Sequence, residues 1–120
     1  GCFREYAFWE QPPTPMIRVS VLYPHVDGAR FDWSYYTRSH VPMVVQRFGA
    51  ALKATSVEKG LGGGAPGSPA PFVALIHFTF DSVPAFQAAF APHMNEIMAD
   101  IPNYTSIQPV VQISEVVSGR

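Results

Sequence analysis

The 120-residue sequence predicts a single-domain α+β fold with elements in the order β-α-β-β-α-β, and three observations carry that prediction. Residues 17 to 22 alternate as a strand does. Residues 72 to 80 (FVALIHFTF) form the most strand-like segment of the chain. Two glycine-free stretches, 33 to 48 and 83 to 100, follow residues that cap helices well. At 120 residues the chain is short of the roughly 150 per domain used as a soft prior, so two independent cores are excluded.

The elements follow in order. Residues 1 to 15 (GCFREYAFWEQPPTP) show neither helical nor strand periodicity, and Pro12, Pro13 and Pro15 impose an extended stretch. They are read as an extension or arm before a domain spanning 16 to 120, with Phe3, Tyr6, Phe8 and Trp9 available to pack on a neighbouring subunit. Ile17, Val19 and Val21 alternate with Arg18, Ser20 and Leu22 as the first strand, which Pro24 ends. Asp32 stands at an N-cap position before WSYYTRSH. Pro42 cannot donate to the Arg38 carbonyl, so the helix is expected to kink or restart there and run to a Gly49 cap.

Residues 51 to 59 read as a second strand, and residues 60 to 71 (GLGGGAPGSPAP) as a flexible, dispensable connection. No Lys-Ser/Thr pair and no helix follow these glycines, so they do not make a phosphate cradle. After the third strand, Asp81 and Ser82 offer caps and Pro84 suits a first helical turn. Pro92 restarts the second helix, Ile101 and Pro102 end it, and residues 107 to 117 supply the last strand.

Two split β-α-β halves of this kind give the ferredoxin-like arrangement, one antiparallel four-stranded sheet with both helices on one face. In the third strand, Ala74, Ile76, Phe78 and Phe80 are then expected beneath the helices. Val73, Leu75, His77 and Thr79 are expected on the uncovered face. Two uncovered faces meeting would close a barrel around a cavity for a small apolar ligand.

Composition narrows the function. Hydrophobic residues make up 48% and charged residues 14% of the chain, against about 25% charged in typical soluble domains. A core is available, disorder is excluded, and so sparse a charge predicts apolar surface shielded in a homodimer. The formal net charge is −1 with scattered basic residues, which argues against nucleic acid and anionic membranes as partners. Cys2 is the one cysteine, so no disulfide framework or thiolate site is expected and a cytoplasmic setting fits. No apolar run approaches the roughly 20 residues of a membrane span.

Four segments are similar to a known family: VLYP at 21 to 24, FDWSYYTRSHVPMV at 31 to 44, FTFDSVPAFQAAF at 78 to 90 and DIPNYTSIQPVVQISEVV at 100 to 117. The chain from Met16 onward resembles the EthD family, named from ethyl tert-butyl ether degradation, within the dimeric α+β barrel superfamily. Its Tyr-x-x-x-His-x-Pro core and Pro-Asn-Tyr ending carry the likeness. The resemblance implies a homodimeric barrel that acts on, or carries, small hydrophobic molecules. Superfamily relatives include cofactor-free aromatic monooxygenases, polyketide cyclases, decarboxylases or dehydratases, and haem-degrading enzymes.

Asp32, Tyr36 and His40 fall at i, i+4 and i+8 on one helix stripe. His40 matches the motif histidine of the family and is the expected general acid or base, with Tyr36 hydrogen-bonding it from one turn earlier. His77 and Leu75 are expected on the cavity side, where His77 can bind a ligand oxygen, assist His40 or bond to a neighbouring strand, and Tyr23 and Trp33 either line the cavity mouth or pack as ordinary core. His25 and His93 are expected in solvent, and Met43, Met94 and Met98 in helix-to-sheet packing. No close histidine pair and no carboxylate motif supports a metal site.

The first expectation is a cofactor-independent cyclase, dehydratase, decarboxylase or monooxygenase of small hydrophobic or aromatic metabolites. The second is a non-catalytic binding or auxiliary protein of a degradation pathway. The third is haem binding or breakdown, with His40 or His77 as axial ligand. Nucleophile-elbow and dinucleotide-binding motifs are absent, so covalent acyl chemistry and hydride transfer are not expected.

Overall fold

The computed structural model describes residues 15 to 119, so nearly all of the expected N-terminal arm lies outside the described residues. β1 (Ile17–Pro24), β2 (Ala54–Lys59), β3 (Phe72–Phe80) and β4 (Val110–Glu115) form one antiparallel sheet in the order β2-β3-β1-β4. β1 and β3 are central because they carry the apolar alternation. Ile17, Val19 and Tyr23 of β1 and Ala74, Ile76, Phe78 and Phe80 of β3 are buried under the helices. The face expected for β3 is therefore the face observed.

The first helical region runs as α1 (Trp33–Tyr35), a π-helical turn (Tyr36–His40) and α2 (Val41–Phe48). Asp32 caps it as expected, its carboxylate accepting from the Tyr35 amide at 3.0 Å. The expected break at Pro42 is corrected to a widened turn just before it, in which the Val41 amide donates to the Tyr36 carbonyl. One extra residue in the turn absorbs the irregularity that a proline introduces, and the helix continues. Gly49 ends it at φ 60°, a backbone region that favours glycine.

The second region is α3 (Val83–Phe90), a short 3-10 turn at Ala91–His93, and α4 (Met94–Asp100). Ser82 caps α3 through the Ala85 amide at 3.1 Å. Phe86 stacks on Phe90 and both rings meet Phe48, which in turn packs edge-on against Phe78 and Phe80. Met94 and Met98 are exposed, which corrects their expected packing on the sheet. Ile97 is the buried residue of α4. β2 starts at Ala54 rather than 51, since Gly49–Ala51 form a 3-10 turn, and β4 is shorter than expected, with Ile107 buried on the approach to it.

The register builds the uncovered face in rows. Ala54, Thr79, Arg18 and Ser114 stand side by side, followed by Ser56, His77, Ser20 and Gln112, and then by Glu58, Leu75, Leu22 and Val110. The first two rows are mostly polar, so only the third, where Leu75, Leu22 and Val110 stand beside Glu58, approaches the apolar surface expected of this face.

The connection from Gly60 to Pro71 has its own hydrogen bonds, Gly60 to Val73 at 2.8 Å and Gly63 to Ser68 at 2.9 Å. A Cβ on Gly60 would fall onto the Phe72 carbonyl oxygen. Gly60→Ala is therefore expected to cost about 1–3 kcal/mol, read as a lower denaturation midpoint, whereas Gly64→Ala, which meets open space, should change little.

Candidate active site

His40 closes the π-helical turn and faces inward from the helix layer at 5% exposure. Its Nδ1 lies 2.8 Å from Asp100 Oδ2 at the end of α4. The other carboxylate oxygen accepts from the Tyr35 hydroxyl at 2.6 Å and from Asn103 Nδ2 at 2.9 Å. Asp100 thus holds one histidine and is itself held by two donors. Because an ionised carboxylate only accepts, Nδ1 carries the proton and Nε2 is left as the basic nitrogen. Among the described residues Nε2 has no hydrogen-bond partner.

Aromatic rings fix the imidazole plane. Tyr36 stacks on it at 5.6 Å between centroids and 19° between planes, and Tyr104 lies against it at 4.5 Å. The expected Tyr36–His40 hydrogen bond is corrected to this stacking. The widened turn sets the two side chains ring over ring, and the Tyr36 phenol faces the bonded Tyr23 and Tyr104 hydroxyls, which are 2.7 Å apart. Burial raises the pKa of all three phenols, so they remain neutral hydrogen-bonding groups. The Asp32 amide donates to the Tyr104 carbonyl at 2.7 Å, and Arg30 donates to the carbonyls of Pro102 and Asn103, which ties the Pro-Asn-Tyr segment to the start of α1.

Burial lowers the His40 pKa from its ordinary 6.5, and the hydrogen bond and charge of Asp100 pull it back only in part. For Asp100, burial pushes the carboxyl up, but donation from Tyr35, Asn103 and His40 outweighs it and holds the pKa below 3.8. The stability consequence follows from the His40 shift. As pH falls below about 6.5 the unfolded chain takes up the histidine proton first, so stability present above that pH is lost on the way down to the folded pKa. Denaturant midpoints measured from about pH 7.5 to pH 5 should fall, and His40→Gln should flatten that slope.

The structure divides the expected site residues between the two sides of the sheet. His40, Tyr36, Tyr23 and Trp33 lie on the helix side. Tyr23 is a buried core residue rather than part of a cavity mouth. Trp33 is half-buried against Phe31 and Tyr36, with Lys59 Nζ 5.6 Å from its ring centroid. His77 and Leu75 lie on the opposite face, so His77 does not assist His40. His77 bonds the neighbouring strand, as one of its expected readings has it, through Nδ1 to Ser20 Oγ at 2.7 Å, with Glu58 3.8 Å from its Nε2. Among the described residues no group of three His, Cys, Asp or Glu side chains is placed to hold a metal ion.

On the Asp100 side of the pair a groove of about 360 Å³ is lined by Tyr35, Ser39, Met43, Glu96, Asp100 and Asn103, and His40 is not part of its wall. Asp100, Asn103, Tyr35 and Tyr104 were not anticipated as site residues. The Asp-x-x-Asn-Tyr spacing ending α4 is the one signal for Asp100, Asn103 and Tyr104, because it sets a carboxylate and an amide one turn apart, and Tyr35 has none.

The EthD domain family model matches residues 24–108. An EthD-like protein from Ralstonia eutropha JMP134 of known crystal structure is 52% identical, with a TM-score of 0.84 over 89% of this chain and 96% of that one. An ethyl tert-butyl ether degradation family protein from Bacillus halodurans C-125 shares the fold at 16% identity, with a TM-score of 0.58 over 83% of this chain and 97% of that one. An uncharacterized 11.0 kDa protein in the thcB-thcC intergenic region of Rhodococcus erythropolis is 36% identical over 76% of this chain and 85% of its own. The matched region contains the histidine of the π-helical turn and the Pro-Asn-Tyr segment that packs on it, and the chain belongs to the EthD family.

Proposed function

We propose that this protein is a cofactor-independent enzyme of small hydrophobic or aromatic metabolites, with His40 as general acid and base. The observation that carries the reading is the Asp100–His40 pair. A buried imidazole whose Nδ1–H is held by a carboxylate presents Nε2 as a proton acceptor of fixed direction. Such a base takes a proton from a carbon beside a carbonyl and returns it to carbon or to a leaving oxygen. Cyclisations, dehydrations and isomerisations of that kind balance without a redox partner. The groove beside Asp100, with Met43 and Tyr35 in its wall, is the proposed route of approach. A cytoplasmic setting and a role in a degradation pathway belong to the same proposal.

The test is proton exchange at the α-carbon of small aryl ketones and lactones in heavy water. Exchange that depends on His40 supports the reading. Saturable binding of the same compounds without any exchange would favour a non-catalytic carrier, and a Soret shift on titrating hemin would favour haem binding.

We also propose a homodimer, in which the uncovered sheet face or the exposed Val111 and Ile113 of β4 meet a second copy. Sedimentation at micromolar concentration is expected to give twice the chain mass, with more than about 1,000 Å² buried in total. A stable monomer would contradict this.

A further inference from the structure

We propose that Tyr35 is a positioning residue of the His40 site, acting through Asp100, and that the π-helical turn is the device that brings it there. This role rests on the reading of His40 as a base, and it is exerted one bond removed from the imidazole. The Tyr35 hydroxyl donates to Asp100 Oδ1 at 2.6 Å, while Oδ2 of the same carboxylate lies 2.8 Å from His40 Nδ1. One carboxylate therefore joins a phenol and an imidazole that stand five residues apart on one helical region.

Regular helical geometry does not allow that convergence. At 3.6 residues per turn, side chains five residues apart point about 140° away from each other, on different flanks. The turn from Tyr36 to His40 is closed by the Val41 amide on the Tyr36 carbonyl, a five-residue bond that widens the helix and rotates each residue through less angle. Tyr35 and His40 are thereby turned toward the same end of α4. The Tyr35 backbone is fixed just before the turn, because its amide donates to the Asp32 carboxylate at 3.0 Å. Its ring is fixed as well, stacked on Tyr104 at 6.3 Å between centroids and 19° between planes, and Tyr104 in turn lies 4.5 Å from the imidazole.

The bond has a chemical consequence for His40. A phenol donating at 2.6 Å is a short, charge-assisted hydrogen bond that draws charge out of the carboxylate. Donation to the carboxylate also raises the Tyr35 pKa, so the phenol keeps its proton. With Oδ1 engaged, Asp100 orients Nδ1–H through Oδ2 but stabilises an imidazolium less than a bare carboxylate would. The groups packed against the ring are Asp100 from α4, Tyr36 from the same turn and Tyr104 from the segment after α4. Both phenols stay neutral, which leaves Asp100 as the charge among them. Asn103 Nδ2 also donates to Oδ1, at 2.9 Å, but it is exposed and water can replace it, whereas Tyr35 is half-buried.

Nitrogen NMR of the imidazole, read without substrate on the full chain, tests this with Tyr35→Phe and Asn103→Ala. Tyr35→Phe should raise the His40 titration midpoint by roughly half a pH unit or more, and Asn103→Ala should move it less. The acid limb of α-carbon proton exchange on phenylacetone should rise by the same amount in Tyr35→Phe. A merely stabilising bond would lower the urea midpoint of Tyr35→Phe and leave the His40 titration unmoved, which would overturn the proposal. An equal shift from Asn103→Ala would overturn it as well. In case Tyr35→Phe does not fold, 3-fluorotyrosine in place of Tyr35 keeps the ring and the hydroxyl. Its more acidic phenol is a stronger donor, so the midpoint should fall below that of the wild type, and an unmoved midpoint would contradict the role. A shifted midpoint in a protein that exchanges no substrate proton would uphold the role of Tyr35 while removing the catalytic reading.

Discussion

Replacing His40 with alanine is expected to lower His40-dependent proton exchange by about 10² to 10⁴, the range typical of a positioned acid or base. The size of the effect follows from geometry. Asp100 fixes the tautomer, Tyr36 and Tyr104 fix the ring plane, and Nε2 is the nitrogen of this ring that no described residue hydrogen-bonds. Because the imidazole is buried, His40→Ala also leaves a small cavity, so His40→Gln is the better control for packing. Both variants should lose exchange, and the glutamine variant should keep near-native near-UV circular dichroism. Activity retained by His40→Gln would remove the histidine from the chemistry.

Asp100→Ala is expected to lower stability by about 1–3 kcal/mol, or up to about 10 °C in Tm for a domain of this size. One carboxylate accepts from an imidazole, a phenol and an amide, and it joins the end of α4 to the π-helical turn and to Asn103. Removing it leaves the buried His40 Nδ1–H and the half-buried Tyr35 hydroxyl without their acceptor, which costs more than losing a single exposed pair, while the exposed Asn103 amide turns to water. The Arg47–Glu96 pair is a contrast within the same protein. It is bidentate at 2.9 Å but exposed, and Arg47→Ala should lower the unfolding midpoint far less than Asp100→Ala. Urea unfolding of the two variants side by side checks the order, and equal losses would show that the Asp100 network is solvated.

Much of the fold was legible because it rests on local patterns. The alternation in FVALIHFTF places its buried face without any knowledge of partners, and Asp32 and Ser82 announce helix starts by the amides they cap. The candidate site was legible only in part. His40 stands out as a residue type within a motif, but its decisive partner is 60 residues away and is set by how α4 crosses the first helical region. The Tyr36 contact was misread because regular helical spacing implies a hydrogen bond between neighbours one turn apart. A π-helical turn next to a proline changes that angle. Tyr23 is open between core and cavity mouth in the sequence, and the structure puts it in the core. Its strand parity puts it with Ile17 and Val19, but the polar hydroxyl suggested a pocket rim until Tyr104 supplied a buried partner. The polar rows on the uncovered face depend on the register of four strands, which no single segment reveals.

The protonation of His40 tests the central claim most directly, and nitrogen NMR of the imidazole reads it without a substrate. If Asp100 holds Nδ1–H and leaves Nε2 as the base, the neutral ring should be the Nδ1–H tautomer, with its titration midpoint below the ordinary 6.5 and a switch of tautomer in Asp100→Ala. A proton on Nε2 in the neutral wild-type ring would contradict the account.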